Sequence, residues 1–451
     1  METFIKIFQF ILSLSILIVL HELGHFIPAK LFKTKVEKFY LFFDYKFSLF
    51  KKKIGDTVYG IGWIPLGGYV KIAGMIDESM DTEQMKEEPK PWEFRSKPAW
   101  QRLIIMLGGV TVNFILGIFL YIMILNIWGE KFLPNDSLKD GVWVYDELGK
   151  DLGLETGDKI LTIDGEKIEK FGSLIPGFVN GSTYTIERNG QILDKEIPID
   201  FISKLIERRK DQANFINPRV PFVIGQIPDS SHNFISELRP NDIVNSINGQ
   251  TVTYYDEVAS ILEKYNNQDI TLSVRRGEET RDITVAVNEK AAIGVVLGRL
   301  TLTDMSKLGY FDLKTRTYSF SEAIPGGFKI AYKTLADYIK QFKKIFNPKT
   351  GAYKGLGGFG TIANIFPSEW DWQRFWSLTA FLSIMLGFMN LLPIPALDGG
   401  HVVFTLYEMI SGRKPTDKFL EYAQVTGFII LMALLLFANG NDVYRWITGK
   451  F

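Results

Sequence analysis

The chain has 451 residues, 51 basic and 51 acidic side chains, and no cysteine. Balanced charge argues against a nucleic-acid partner. The lack of cysteine excludes a disulfide framework, a thiolate metal site and a thiol nucleophile. Hydrophobic residues make up an ordinary 46%, but they concentrate in four blocks, and a membrane helix needs about 20 apolar residues.

The first block runs from about Phe4 to Phe32 and holds "HELGH", His21 to His25. It lacks a small-residue cleavage site, so a retained segment is expected. The second block runs from Leu103 to Trp128, the third from Phe375 to Leu397, and the fourth from about Tyr422 to Ala438. The loop after the first block carries Lys33, Lys35, Lys38, Lys51, Lys52 and Lys53, and Arg95, Lys97 and Arg102 precede the second. A short loop between the third and fourth carries Arg413, Lys414 and Lys418. By the positive-inside rule both loops face the cytoplasm, which places residues 129–370 and both termini outside.

The region between the second and third blocks contains a repeat. "GLETGDKILTIDGEKI" (153–168) matches "ELRPNDIVNSINGQTV" (237–252), aligning Asp158 with Asp242 and Gly165 with Gly249. Each copy alternates apolar and polar residues, as a half-buried strand does. Each ends in Asp-Gly or Asn-Gly, the dipeptides of tight hairpins with positive φ. Downstream, "YTIERNGQILDKEIPI" and "ITLSVRRGEETRDITVAV" each read as strand, turn and strand. Two tandem β-rich modules follow. Their "GD-x-I-x-x-I-x-G" core resembles PDZ domains, with Asn241 replacing a glycine in the second copy. That resemblance implies peptide contact by strand addition, although neither copy shows a clear carboxylate-binding loop. Ahead of the third block, residues 320–346 read as an amphipathic helix at a membrane surface, with Tyr332, Tyr338 and Phe342 among lysines.

The chemistry lies in the first block. His21 and His25 are four residues apart, so on a helix they share one face. Two imidazoles so placed can hold one metal ion, with Glu22 beside them as general base. Nitrogen and oxygen donors suit zinc, which in catalytic sites takes three protein ligands and leaves one position open. The plain alternative is two polar helix residues facing other helices. It weakens in an apolar segment, where ionisable groups usually mark function. The third ligand is sought in "NLLPIPALDGGH" (390–401), where Asp398 closes the third block. Alone, Asp398 would read as a turn residue before Gly399-Gly400, but the unclaimed coordination position favours it as a ligand. His401 is next in line. His232, in polar "IPDSSHNF", reads as an exposed loop residue.

"HELGH" in a first membrane helix followed by "NLLPIPALDGGH" in a later one resembles the site-2 protease family of intramembrane zinc metalloproteases. "IPLGGYVKIAG" (64–74), "FRSKPAWQRLIIMLGGVTVNFILG" (94–117) and "NDVYRW" (441–446) extend the likeness over nearly the whole chain. "GGVTVN" (108–113) departs from it, since the family more often has Gly-Pro there.

The resemblance implies a polytopic membrane protein with an α-helical core of about four transmembrane helices and a membrane-associated β-hairpin. Two tandem PDZ-like domains would lie outside the membrane. The expected division is a first core half at 1–128 (with a loop at 33–100), PDZ-like domains at 129–202 and 203–292, a linker with the surface helix at 293–372, and a second core half at 373–451. Zn2+ is the implied cofactor, held by His21, His25 and Asp398, with Glu22 catalytic. The glycine-rich stretch 59–74, with Gly67, Gly68 and Tyr69, would hold an unwound substrate by strand addition, its plainer reading being an ordinary cytoplasmic hairpin. Asn390 would bond the substrate backbone or another helix; the same two readings apply to Asn113. The implied partners are the lipid bilayer and single-pass membrane substrates such as anti-sigma factors and remnant signal peptides, with no nucleic acid. The implied location is the bacterial inner membrane, with the PDZ-like domains periplasmic and the metal site near the cytoplasm. The competing expectation is a catalytically inactive PDZ-bearing scaffold of the same fold.

Overall fold

A computed structural model describes residues 1–75, 88–208, 214–298 and 300–449. The chain forms two compact units: one from Met1–Glu130, Thr317–Asn347 and Ala352–Phe451, the other from Lys131–Arg316 and Pro348–Gly351.

Six helices dominate the first unit: α1 (Glu2–Leu31), α2 (Ala99–Trp128), α3 (Phe320–Ile345), α4 (Trp372–Leu391), α5 (Asp398–Ser411) and α6 (Asp417–Ile447). Among the described residues, four are long and apolar enough to cross a membrane: α1, α2, α4 and α6. They match the four apolar blocks. The contact between α1 and α2 is backbone against backbone. A Cβ on Gly24 would stand 2.5 Å from the carbonyl oxygen of Gly108, and one on Gly108 would stand 1.9 Å from that of Gly24. Such close approach is the use of small residues at helix crossings in membranes.

The third block does not stay helical to Leu397. Helix α4 stops at Leu391, because Pro393 and Pro395 follow. Proline supplies no N–H and disfavours helical geometry in the residue before it. The stretch after it is also more than the short loop expected: Asp398 opens α5, which runs to Ser411 and is closed by Gly412 at φ +67°. Helical spacing within 398–411 was masked by the glycine pair and by the short apolar run.

The loop after α1 folds into a mixed sheet of β1 (Val36–Phe43), β2 (Phe50–Ile54), β3 (Thr57–Ile61) and β4 (Ile64–Ile72), in the order β2-β3-β1-β4. β1 runs parallel to β3 and antiparallel to β4. The expected single hairpin over 59–74 is therefore corrected. β3 and β4 are consecutive in sequence, but β1 lies between them, and β4 forms an edge among the described residues. Strand and turn signals locate strands but do not say which strand pairs with which.

Helix α3 begins with a capping box: the Ser319 hydroxyl accepts from the Glu322 N–H, and the Glu322 carboxylate accepts from the Ser319 N–H at 2.9 Å. Its small residues Ala323, Gly327 and Ala331 are buried. A Cβ on Gly327 would lie 2.5 Å from Cγ1 of Ile122 on α2. Tyr338 and Phe342 do not lie on an open surface. Their ring centroids are 5.4 and 5.6 Å from that of Phe388 on α4. Of the three aromatics expected at a membrane surface, Tyr332 is exposed.

The second unit contains the repeat. In its first copy, β5 (Val142–Val144), β6 (Lys159–Ile163), β7 (Glu166–Lys167), β8 (Thr183–Arg188), β9 (Gln191–Glu196) and β10 (Ile216–Pro218) are followed in the second by β11 (Ile224–Gln226), β12 (Ile243–Ile247), β13 (Gln250–Thr251), β14 (Asp269–Arg276), β15 (Glu279–Ala286) and β16 (Val296–Leu297). The four-stranded sheets have the same order, β9-β8-β6-β7 and β15-β14-β12-β13. Each copy is also closed alike: β10 pairs with β5, and β16 pairs with β11. The strand closing the first copy thus lies beyond residue 202. Turn residues Asp164, Gly165, Asn248 and Gly249 all have positive φ, as the tight turn requires. Gly157 has φ +98° and its counterpart Asn241 φ +72°. Asparagine is the residue after glycine that best tolerates this region, so the departure in the second copy changes nothing locally.

The aligned aspartates are structural. Asp158 and Asp242 are both buried. Nε and Nη2 of Arg188 donate to Asp158 at 2.7 Å each, and those of Arg276 donate to Asp242 at 2.7 and 2.8 Å. Each carboxylate also accepts a backbone N–H at 2.8 Å, from Glu155 and Arg239. A buried carboxylate needs such a fork, because an unpaired charge out of water is expensive. Arg188→Met strands Asp158. The first copy is expected to lose about 3 kcal/mol, the low end for breaking a buried pair because the arginine is partly exposed. Hydrogen exchange of the β8 amides in urea measures this, and removing both charges together (Asp158→Leu with Arg188→Met) is expected to cost less.

Candidate metal centre

The site forms where α1, α2, α4, α5, α6 and the edge strand β4 meet. Helix periodicity brings His21 and His25 onto one face of α1, where Nε2 of one ring lies 3.3 Å from Nε2 of the other. Oδ2 of Asp398, in the first turn of α5, lies 3.3 Å from each of those nitrogens. Among the described residues these three side chains form a group of His, Cys, Asp or Glu donors able to hold a metal ion.

The opposite ring nitrogens fix the proton positions. A neutral imidazole has one N–H and one lone pair. Nδ1 of His25 donates to the carbonyl of Ile105 on α2 at 2.8 Å, which leaves the lone pair on Nε2. Nδ1 of His21 lies 3.0 Å from the side-chain amide of Asn113. Asn113 is fully buried, and its Oδ1 has no partner as the amide is placed. An amide turned so that its oxygen faces Nδ1–H accepts that proton, again leaving the lone pair on Nε2. Asp398 Oδ2 is likewise buried and makes no hydrogen bond among the described residues. Three lone pairs thus point together 3.3 Å apart. That spacing matches the edge of a donor tetrahedron around zinc, roughly 3.3 Å for bonds of about 2.0–2.1 Å. The donor set fits the ion.

Glycine makes the room. A Cβ on Gly109 would stand 2.4 Å from Nε2 of His25 and 2.6 Å from Cε1 of His21. Gly108, Gly109 and Asn113 of the "GGVTVN" stretch thus serve, in turn, the helix crossing, the clearance over the imidazoles and the bond to His21.

A cavity of about 600 Å³, counting its open mouth, contains the group, and Glu22, Tyr69, Val70, Ile72, Asn390, His401 and Gln424 also line it. Glu22 on α1 faces Val70 on β4 across the same cavity lining. Nδ2 of Asn390 lies 3.2 Å from Nε2 of His21. Tyr69 donates its hydroxyl to Asp44 at 2.8 Å. Gly67 and Gly68 pack under neighbours instead: a Cβ would meet the Phe43 ring at 2.7 Å and Cγ2 of Ile18 at 2.4 Å. His401 lines the cavity one turn along α5 from Asp398, and burial lowers its pKa. His232 lies in the second unit and bonds the carbonyl of Ala286 at 2.8 Å.

Three contributors had no sequence signal strong enough to single them out: the Ile105 carbonyl, Gly109 and Gln424. Asn113 settles as a helix–helix contact through His21, with no surface left for substrate.

Comparison with known proteins identifies the family. The profile described as "Peptidase family M50" matches residues 9–434. A Campylobacter jejuni protein named "Putative zinc metalloprotease" is 29% identical over 97% of this chain and 93% of its own length. Proteins of the same name from Neisseria meningitidis and Fusobacterium nucleatum are each 26% identical, over 97% and 96% of this chain and 98% and 97% of their own lengths. With a match over nearly all of its length, the chain belongs to peptidase family M50, the site-2 protease family of membrane-embedded zinc metalloproteases.

Proposed function

We propose that this protein is an intramembrane zinc endopeptidase that cuts transmembrane segments of other membrane proteins. The observation that carries the reading is the triangle of His21 Nε2, His25 Nε2 and Asp398 Oδ2, each 3.3 Å from the others. These three residues are the zinc ligands in this reading, and Glu22 is the general base. The competing reading, an inactive scaffold, expects a damaged site and is disfavoured by the complete donor set.

When bound, zinc supplies Lewis-acid activation of water and of the scissile carbonyl. Glu22 takes the proton of the attacking water on its carboxylate and returns it to the leaving amine nitrogen. Asn113 and the Ile105 carbonyl hold the imidazoles in the tautomer that presents Nε2. Asn390, beside His21, offers an amide to the substrate backbone. A transmembrane substrate must unwind before its peptide bond is reachable, and unwound backbone in lipid needs new partners. In this reading the edge of β4 supplies them by strand addition, along the cavity that Glu22 also lines.

The four spans and the family support a multi-pass membrane protein. The layout of two half-cores around a double module is similar to the bacterial regulator of sigma-E protease. It suggests the inner membrane, a periplasmic second unit with PDZ-like copies, and a metal centre toward the cytoplasm. Anti-sigma factors and remnant signal peptides are the substrate class that fits.

Glu22→Gln is expected to retain zinc while cleavage of a model transmembrane substrate falls about 10²–10⁴-fold. Asp398→Ala is expected to lose the metal. Equal cleavage by wild type and Glu22→Gln would sink the mechanism, and full zinc occupancy in Asp398→Ala would remove that ligand. Asn113→Leu deprives His21 of its Nδ1 partner, and zinc affinity is expected to drop about 10–100-fold, read by chelator competition. The absence of native cysteine makes disulfide trapping clean. Single cysteines introduced by Tyr69→Cys and Lys71→Cys are expected to trap substrate cysteines at every second position, the period of a strand. Trapping without that period would count against strand addition.

A further inference from the structure

The segment joining α4 to α5 has an unusual backbone. Ala396, two residues before Asp398, has φ +80°. An L-residue with a side chain rarely adopts this left-handed conformation, and it persists where surroundings impose it. The two glycines after Asp398 wedge the start of α5 against the same segment. A Cβ on Gly399 would stand 2.2 Å from the carbonyl oxygen of Leu392, and one on Gly400 would stand 2.7 Å from that of Ile394. From the other side the segment meets α6. The Ala396 N–H donates to Oε1 of Gln424 at 3.2 Å, and Gln424 is buried. One turn along α6, a Cβ on Gly427 would stand 1.6 Å from the carbonyl oxygen of Pro395, so the helix backbone itself lies against the kink.

We propose that α6 sets the position of Asp398: Gln424 and Gly427 grip the Pro395–Ala396 kink and so hold the carboxylate at 3.3 Å from both imidazoles. Gln424 is a positioning residue, acting through the backbone of Ala396. The physical need is plain. An N–H turned into a dry cavity wall must find an acceptor, and a strained φ relaxes when the bond that imposes it is removed. Relaxation at residue 396 would swing the first turn of α5 away from α1. The fourth span, which contributes no donor atom of its own to the triangle, thereby becomes part of the metal centre. This inference rests on Asp398 being a ligand.

The test measures zinc affinity of the full-length protein in detergent by competition with a chelator. Gln424→Met, which keeps the volume and removes the acceptor, is expected to weaken zinc about 10–100-fold, the usual effect of losing a residue that orients a ligand. Gln424→Asn, too short to reach Ala396, is expected to do the same and serves if the methionine variant misfolds. Gln424→Glu, which keeps an acceptor at full reach, is expected to weaken zinc less than Gln424→Met does. Ala396→Gly relieves the left-handed conformation, and in the Gln424→Met background it is expected to recover part of the loss. Wild-type affinity in both Gln424→Met and Gln424→Asn overturns the proposal, including the case where only cleavage falls, since that outcome makes Gln424 a substrate contact. Asp398→Ala is measured in parallel. If it keeps zinc, the ligand assignment has failed; if it loses zinc while the Gln424 variants do not, the positioning role alone has failed.

Discussion

Three lone pairs held 3.3 Å apart repel one another, and much of the first unit is arranged to hold them there. Each donor is supported from behind by a different element. Ile105 on α2 receives the far N–H of His25, and Asn113 on the same helix meets the far side of His21. The kinked segment before α5 presents Asp398. None of this is reachable unless α1 and α2 touch along their backbones at Gly24 and Gly108. A side chain at either position would push α2 outward and pull Asn113 and Ile105 away from the rings. A cation held by the triangle would offset the repulsion among the donors and make the apolar setting compatible with it.

The sequence revealed those parts of the site whose signals are local. His21, Glu22 and His25 follow from four-residue spacing in an apolar run, and Asp398 from an acid at the end of another. The four spans follow from block length, and the paired modules from Asp158 and Asp242 in matching strings. What stayed hidden depends on partners distant in the chain. The order of β1 to β4 is not written in the turn residues between neighbours, and β1 and β4 both pack against α1. Backbone groups such as the Ile105 carbonyl have no residue type to betray them. Gly109 looked like any glycine in a membrane helix until the imidazoles beside it were placed. The helix at 398–411 was obscured because its first turn is spent on Gly399 and Gly400, which pack against carbonyl oxygens.

The two modules of the second unit show a different economy. Their likeness is carried by one buried aspartate–arginine fork each, tied to the same backbone positions. Around that fork the rest is free to vary, and Asn241 in place of glycine illustrates how far. The conformation is kept while the residue changes, since asparagine accepts positive φ. Pattern matching at the level of residues therefore understates how alike the copies are.

The residues of the donor triangle lie far apart in the chain. During synthesis α1 is made before α5, which arrives only after the whole second unit, tens of seconds later at about 5–20 residues per second. Throughout that interval the nascent chain has two histidines in lipid and no third donor. A partly made protein thus holds no closed centre beside the other helices being inserted around it. Emergence of α5 and closing of the donor triangle become one event, timed by the order of residues along the polypeptide.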